Sequence, residues 1–213
     1  MGGPVKHPMN ERTFPAADAH RLEKLERLQW LPPDEIMARI GPVQGMTVAD
    51  VGTGTGYFAI PFAKAVGREG KVLAVDFQKE MLENLRRKLS ASGALQNLVI
   101  IEGEAAHTTL PENSCDLVIM SNLWHELDDD AGVLREVKRL LRPGGRVAIL
   151  DWRADLVPPP GPPVAHRVSL ETLRLVLSRH GWTVNYSENV GMHSYLIIAG
   201  LTEILSRHAP DSV

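Results

Sequence analysis

The chain has 213 residues, 44% apolar and 23% charged, which suits one globular domain with a full core plus a short extra segment and leaves no room for two large domains. Its formal net charge of -3 brings no bulk attraction to phosphate backbones or anionic lipid, so nucleic acid is not an expected partner. Cys115 is the single cysteine, which excludes an internal disulfide framework and a thiolate zinc site and makes a reducing cytoplasm the expected location.

Residues 1–13 read as a flexible arm, without the apolar core of a secretion signal. Between positions 16 and 31, Ala19, Leu22, Leu25, Leu28 and Leu31 recur every third position among charges, which predicts an amphipathic helix stopped by Pro32-Pro33. A second short helix is expected over 34–40, entered through Pro33 and closed by Gly41-Pro42. Residues 14–45 are thus expected to form a helical cap.

A strict alternation follows. Apolar runs of strand length lie at 47–51, 72–75, 98–101, 116–120 and 146–150, separated by helical stretches at 57–66, 78–92 and 131–141. The last two helices are expected to end at Gly93 and at Pro143-Gly144-Gly145. A Pro-rich stretch over 157–163 then leads into a helix over about 169–180. Two strand-like runs, 182–186 and 195–199, come next with only Gly191 and its neighbours between them, which predicts an antiparallel hairpin. The expected fold class is α/β: a doubly wound, mostly parallel seven-stranded sheet with a C-terminal antiparallel hairpin. Residues 46–201 form this unit and 202–213 a tail. No stretch approaches the roughly 18 apolar residues of a membrane span.

The most informative segment is Val48-Ala49-Asp50-Val51-Gly52-Thr53-Gly54-Thr55-Gly56-Tyr57, a strand running through a glycine turn into a helix, where a nucleotide-like ligand can approach the backbone closely. Dinucleotide sites space their glycines as G-x-G-x-x-G, whereas Gly52, Gly54 and Gly56 fall at every second residue behind Asp50. An acid beside the turn would repel a pyrophosphate and attract an ammonium, which favours a ligand with an amino-acid end. Asp76 ends the next strand, placed to accept ribose hydroxyls from NAD or S-adenosylmethionine alike. A purely structural turn is the alternative for the glycines.

This D-x-G-x-G-x-G segment with its downstream acid resembles the class I S-adenosylmethionine-dependent methyltransferases, most closely the bacterial group related to ubiquinone and menaquinone biosynthesis methyltransferases. The resemblance implies a Rossmann-like methyltransferase domain and S-adenosylmethionine as cofactor. It implies that Asp50, Gly52, Gly54 and Gly56 surround the methionine part, that Asp76 takes the ribose, and that Phe77 and Met81 pack against adenine. It also implies that Glu104, with Ala105 beside it, accepts from the adenine amino group, and that Ser121 and Asn122 face the reacting methyl. Ordinary helix-to-sheet core is the alternative for Phe77 and Met81.

Past the fourth strand, Ser121-Asn122-Leu123-Trp124-His125-Glu126 lacks the Asn-Pro-Pro-Tyr-like motif of enzymes that methylate amino groups of nucleic acids and glutamine. His125 is the candidate general base, because imidazole titrates near neutral pH; a backbone-bonded structural pin is the alternative. Trp124, Asp151 and Trp152 are expected at the acceptor pocket, with Trp30 either completing an aromatic wall or buried in the core. One cysteine cannot hold arsenite as arsenite methyltransferases of this family do, and no metal site is expected. Arg135, Lys138, Arg139 and Arg142 read as a solvated helix face. The expected function is methyl transfer to a small-molecule acceptor by in-line displacement. A non-catalytic S-adenosylmethionine-binding partner subunit and an NAD-dependent reductase are the alternatives, and a homodimer is left open.

Overall fold

The computed structural model describes residues 11–92, 95–156 and 161–201. Strands β1 (Thr47–Val51), β2 (Lys71–Asp76), β3 (Leu98–Glu102), β4 (Cys115–Ser121), β5 (Leu141–Trp152), β6 (Trp182–Val190) and β7 (Ser194–Leu201) form one sheet in the order β3-β2-β1-β4-β5-β7-β6. The first five run parallel, and β7 inserts antiparallel between β5 and β6. The expected fold class is therefore the one observed, hairpin included. Because β1 is flanked by β2 on one side and β4 on the other, the connections leave it in opposite directions. A crevice opens at its carboxyl end, where open α/β sheets bind ligands.

Side chains alternate strictly across the sheet, as a period of two requires. Val48, Val72, Ala74, Leu117, Ile119, Ala148 and Leu150 join one buried cluster, and Ala49, Leu73, Val75, Val118, Met120, Val147 and Ile149 join the other. Helices α2 (Pro33–Ile40), α3 (Ala59–Val66) and α4 (Lys79–Ser92) cover the first face, through residues such as Ile36, Phe62 and Leu85. Helices α5 (Asp130–Leu140) and α6 (Leu170–Arg179) cover the second through Leu134, Val137, Leu173 and Leu177. Both have side-chain N-caps: Asp129 accepts from the Gly132 N–H at 2.7 Å and Ser169 from that of Thr172 at 3.1 Å.

Two expectations need correction. The predicted single helix over 16–31 is a 3₁₀ helix, Ala16–Glu23, followed by the short helix α1 (Glu26–Trp30). A strict three-residue repeat drifts about 60° per step around an α-helix, so it cannot keep one face, whereas it suits the three-residue 3₁₀ turn. The stripe does not bury as a unit: Leu25 is 79% and Leu28 48% exposed, while Ala19, Leu31 and Arg27 are buried. Second, α5 ends at Leu140 as helix, but strand character begins at once. Pairing jumps from Cys115↔Leu141 to Leu117↔Arg146, so Pro143-Gly144-Gly145 bulges out of the ladder, and the expected strand start at Arg146 marks only where regular pairing resumes.

Arg139 and Arg142, read as part of a solvated face, are structural: Arg139 pairs with Glu136 at 2.7 Å and Arg142 with Asp116 at 2.7 Å. The arm over 1–10, the terminator Gly93, the residues 157–160 of the proline stretch and the tail 202–213 lie outside the described residues. No helix among the described residues is long and apolar enough to cross a membrane.

Candidate active site

The turn after β1 is built by backbone donors folding over β2. The Gly52 and Thr53 N–H groups donate to the Val75 carbonyl, both at 2.9 Å, and the Gly54 N–H donates to Asp76 Oδ2 at 2.8 Å. Asp76 Oδ1 accepts from the Gln78 N–H at 2.9 Å. One carboxylate thus fastens both strand ends while keeping lone pairs for a ligand. Gly54 has φ +53°, a conformation side chains resist. Gly56 answers a different need: a Cβ there would lie 2.4 Å from Leu85 of α4, so it permits helix packing and does not line the cavity.

A cavity of about 560 Å³ opens above this turn, within the roughly 300–1,000 Å³ of small-molecule sites. Asp50, Gly52, Gly54, Asp76 and Phe77 line it from the ends of β1 and β2 and the turns after them, Met81 from the start of α4, and Ser121, Asn122 and His125 from the end of β4. Ser121 Oγ and Asn122 Oδ1 are buried without a hydrogen-bond partner, which a bound polar molecule would correct. Asn122 holds a positive φ of +53°, a strained conformation of the kind that collects at functional sites.

Besides Gly56, three residues expected at the site lie wholly elsewhere, and Asp151 stands behind its wall. Trp124 is buried in the second core cluster, because the short 3₁₀ turn Trp124–Glu126 directs it inward. Glu104 and Ala105 do not line the cavity: the chain after β3 turns back on itself, with Glu104 bridging His107 and Ala105 packed against the core.

His125 and Asp151 come together from two strand ends. His125 Nδ1 lies 2.8 Å from Asp151 Oδ1, and the His125 N–H donates to Asp151 Oδ2 at 3.0 Å. Asp151 is buried beneath the histidine and does not itself line the cavity. Burial alone would lower the His125 pKa, but the Asp151 carboxylate, its hydrogen bond and nearby Glu126 outweigh this and raise it. Burial pushes Glu126 up to about 7 against the opposing pull of His125. Asp50 is likewise raised to about 7 by burial, partly offset by the Thr53 hydroxyl, which donates to it at 2.8 Å.

These shifts predict a stability profile. Asp50, Glu126 and His125 hold protons more tightly folded than unfolded, so each contributes stability at low pH that is lost as pH rises through its folded pKa. Glu136, lowered to about 2 despite burial because Arg139 and Thr108 hydrogen-bond it, acts oppositely but only below its ordinary 4.5, and His193, lowered by burial and by Arg167 and Arg153, opposes the trend as one group against three. The melting temperature of the ligand-free chain is therefore expected to fall by a few degrees between pH 5 and pH 7.5. A flat or rising profile in calorimetry would contradict the assignment.

The cap closes the cavity. The Phe14 carbonyl accepts from Gln78 Nε2 at 2.9 Å, the Ala16 N–H donates to Gln78 Oε1 at 3.1 Å, and Arg12 pairs with Asp128. Residues 11–15 thus strap the mouth between the ends of β2 and β4, where the sequence suggested a free arm through residue 13. Trp30 packs against Trp152, ring centroids 5.2 Å apart and planes tilted by 36°. Gly161 lets the following loop cross the Trp152 ring, since a Cβ would lie 2.8 Å from it. Arg167 pins that loop through the Pro162 and Arg153 carbonyls. Sequence reasoning missed Arg27, Tyr57 and Glu126 as lining residues; in a charged amphipathic segment Arg27 has no signal distinguishing it from solvated neighbours.

The family described as "Methyltransferase domain" matches residues 48–145. The chain is 32% identical over 124 residues to the ubiquinone/menaquinone biosynthesis C-methyltransferase UbiE of Francisella philomiragia, a match covering 58% of this chain and 50% of that protein. The UbiE of Escherichia coli O1:K1 is 32% identical over 119 residues, covering 56% and 47% respectively. The chain thus spans about half the length of the curated relatives it matches. The crystal structure of an S-adenosylmethionine-dependent methyltransferase from Aquifex aeolicus superposes with a TM-score of 0.83 at 32% identity, covering 88% of this chain and 98% of that one.

Proposed function

The chain belongs to the class I S-adenosylmethionine-dependent methyltransferases, and from this we propose that it transfers a methyl group to a small planar acceptor with an acidic hydroxyl or enol, His125 serving as base. The observation that carries the reading is the convergence on one cavity of the glycine turn, Asp76, the unpartnered Ser121 and Asn122 oxygens and the His125–Asp151 pair.

These residues fit the cofactor. Asp50 and the glycine turn would hold its amino-acid end, Asp76 its ribose hydroxyls, and Phe77 and Met81 its adenine, while Ser121 and Asn122 would flank the reacting centre. Bound there, S-adenosylmethionine supplies an electrophilic methyl group. Displacement at that carbon needs the acceptor held close and in line, so most of the rate enhancement is positional.

The chain's own residues supply the rest. Asp151 accepts from His125 Nδ1–H, which leaves Nε2 unprotonated to take the acceptor's proton. Trp30 and Trp152 offer flat apolar surface to an aromatic acceptor, and the strap over 11–15 excludes water. Carbon methylation, named for the UbiE relatives, suits such an acceptor, because its phenolate or enolate form carries nucleophilic carbon. Without a matched dyad a passive cofactor-binding subunit would suffice, so the dyad favours the enzyme.

The test is turnover with methyl-labelled S-adenosylmethionine on a panel of hydroxylated aromatics and enols. Labelled product together with S-adenosylhomocysteine is expected, and no transfer to any of them would count against this acceptor class.

A further inference from the structure

Two hydrogen-bond acceptors stand side by side in the cavity. His125 and Glu126 are neighbours on the 3₁₀ turn after β4; both line the cavity, and their side chains are only 5% and 13% exposed. The His125 ring is fixed from behind by Asp151, which lies 2.8 Å from Nδ1 and also accepts from the His125 and Trp152 N–H groups at 3.0 and 2.6 Å. A carboxylate only accepts, so Nδ1 carries the proton and Nε2 the lone pair. Glu126 Oε1 stands 3.8 Å from that nitrogen, beyond hydrogen-bond reach, as two facing lone pairs require.

The Phe14 N–H of the strap donates to the Glu126 carboxylate, which uses one of its roughly four acceptor positions. Burial still pushes the Glu126 pKa up to about 7, with Asp151 and Asp76 adding to the cost, so the charge has capacity for a further donor. Whatever enters between Nε2 and Oε1 meets acceptors on both sides. A single hydroxyl brings one proton, and the acceptor it leaves would then face oxygen lone pairs in a site that the strap screens from water. Two adjacent donors on one ring answer both.

We propose that Glu126 determines specificity for the acceptor, and that the acceptor carries two neighbouring donors on one planar ring: a hydroxyl facing His125 Nε2 and a hydroxyl or amino group facing Glu126. This rests on the methyl-transfer reading and narrows its acceptor class. A methyl ether beside the hydroxyl fits badly, because its oxygen presents only lone pairs to the carboxylate, and a second acidic group would be repelled. The Phe14 contact by itself would make Glu126 an anchor of the strap. Anchoring affects every acceptor alike, whereas recognition changes the ratio between them.

The experiment titrates catechol, 2-aminophenol, phenol and guaiacol into the full chain saturated with S-adenosylhomocysteine, which has no methyl group to give, with ligand-observed NMR as readout. A buffer of about pH 8 keeps Glu126 ionised. Wild type should bind catechol or 2-aminophenol at least about tenfold more tightly than phenol and guaiacol, and the tighter of the two names the second donor. Glu126→Ala should bring that ratio to near one. Glu126→Gln keeps an oxygen for the Phe14 N–H but loses the charge, so it should hold the strap and give an intermediate ratio.

Should Glu126→Ala fail to fold, the wild-type ratio and Glu126→Gln decide. A wild-type ratio near one, a ratio that survives unchanged in the variants, or no binding of any of the four compounds overturns the proposal and leaves the cofactor assignment intact. A wild type that does not bind S-adenosylhomocysteine overturns both.

Discussion

His125→Ala is expected to reduce turnover by about 10²- to 10⁴-fold, the usual contribution of a positioned base, while S-adenosylhomocysteine affinity is unchanged. The two effects separate because His125 reaches the cavity from the end of β4, whereas the expected cofactor contacts at Asp50 and Asp76 come from β1 and β2. Asp151→Asn should impair turnover less severely and lower the pH at which activity appears. The neutral amide no longer favours the protonated ring, so the raised His125 pKa falls back. In the wild type, activity should decline as pH drops through that raised pKa, since only neutral imidazole accepts a proton. Full turnover in His125→Ala, accompanied only by a lower melting temperature, would make the Asp151 contact a structural pin and leave positioning alone to drive transfer.

The second large effect is expected at Asp76. Asp76→Ala should weaken S-adenosylhomocysteine binding by at least about tenfold, because charge-assisted hydrogen bonds contribute roughly 1.5–3 kcal/mol each. The loss has two origins: the bonds proposed to the ribose, and the support Asp76 gives the glycine turn through the Gly54 and Gln78 N–H groups. Asp76→Asn grades the loss: its amide keeps one acceptor oxygen where the carboxylate offers one each to the Gly54 and Gln78 N–H groups, and it loses the charge, so an intermediate affinity is expected. Calorimetry that finds Asp76→Ala binding as tightly as wild type would refute the ribose assignment.

How much of the site was legible depended on how local its determinants are. The glycine turn, Asp50, Asp76, Ser121 and Asn122 sit at strand ends, and strand ends follow from apolar periodicity and glycine placement along a dozen residues. Glu104 and Ala105, expected from the resemblance alone, do not line the cavity, because the chain after β3 turns back on itself. Trp124 and Trp152 look alike in sequence, each next to a residue expected at the site, yet one enters the core and the other faces the cavity. The orientation of a residue in a single 3₁₀ turn depends on what packs against it.

The sequence by itself determined the sheet with its terminal hairpin and the place of the ligand crevice, because burial on both faces and the glycine spacing are properties of contiguous residues. Only the tertiary structure decided three other things: the pairing of His125 with Asp151 across 26 residues, the strap over 11–15, and the turning of Arg27 inward while Leu25 faces water. Each depends on contacts between segments distant in the chain, and the free energy of such contacts leaves no trace in the local pattern of either partner.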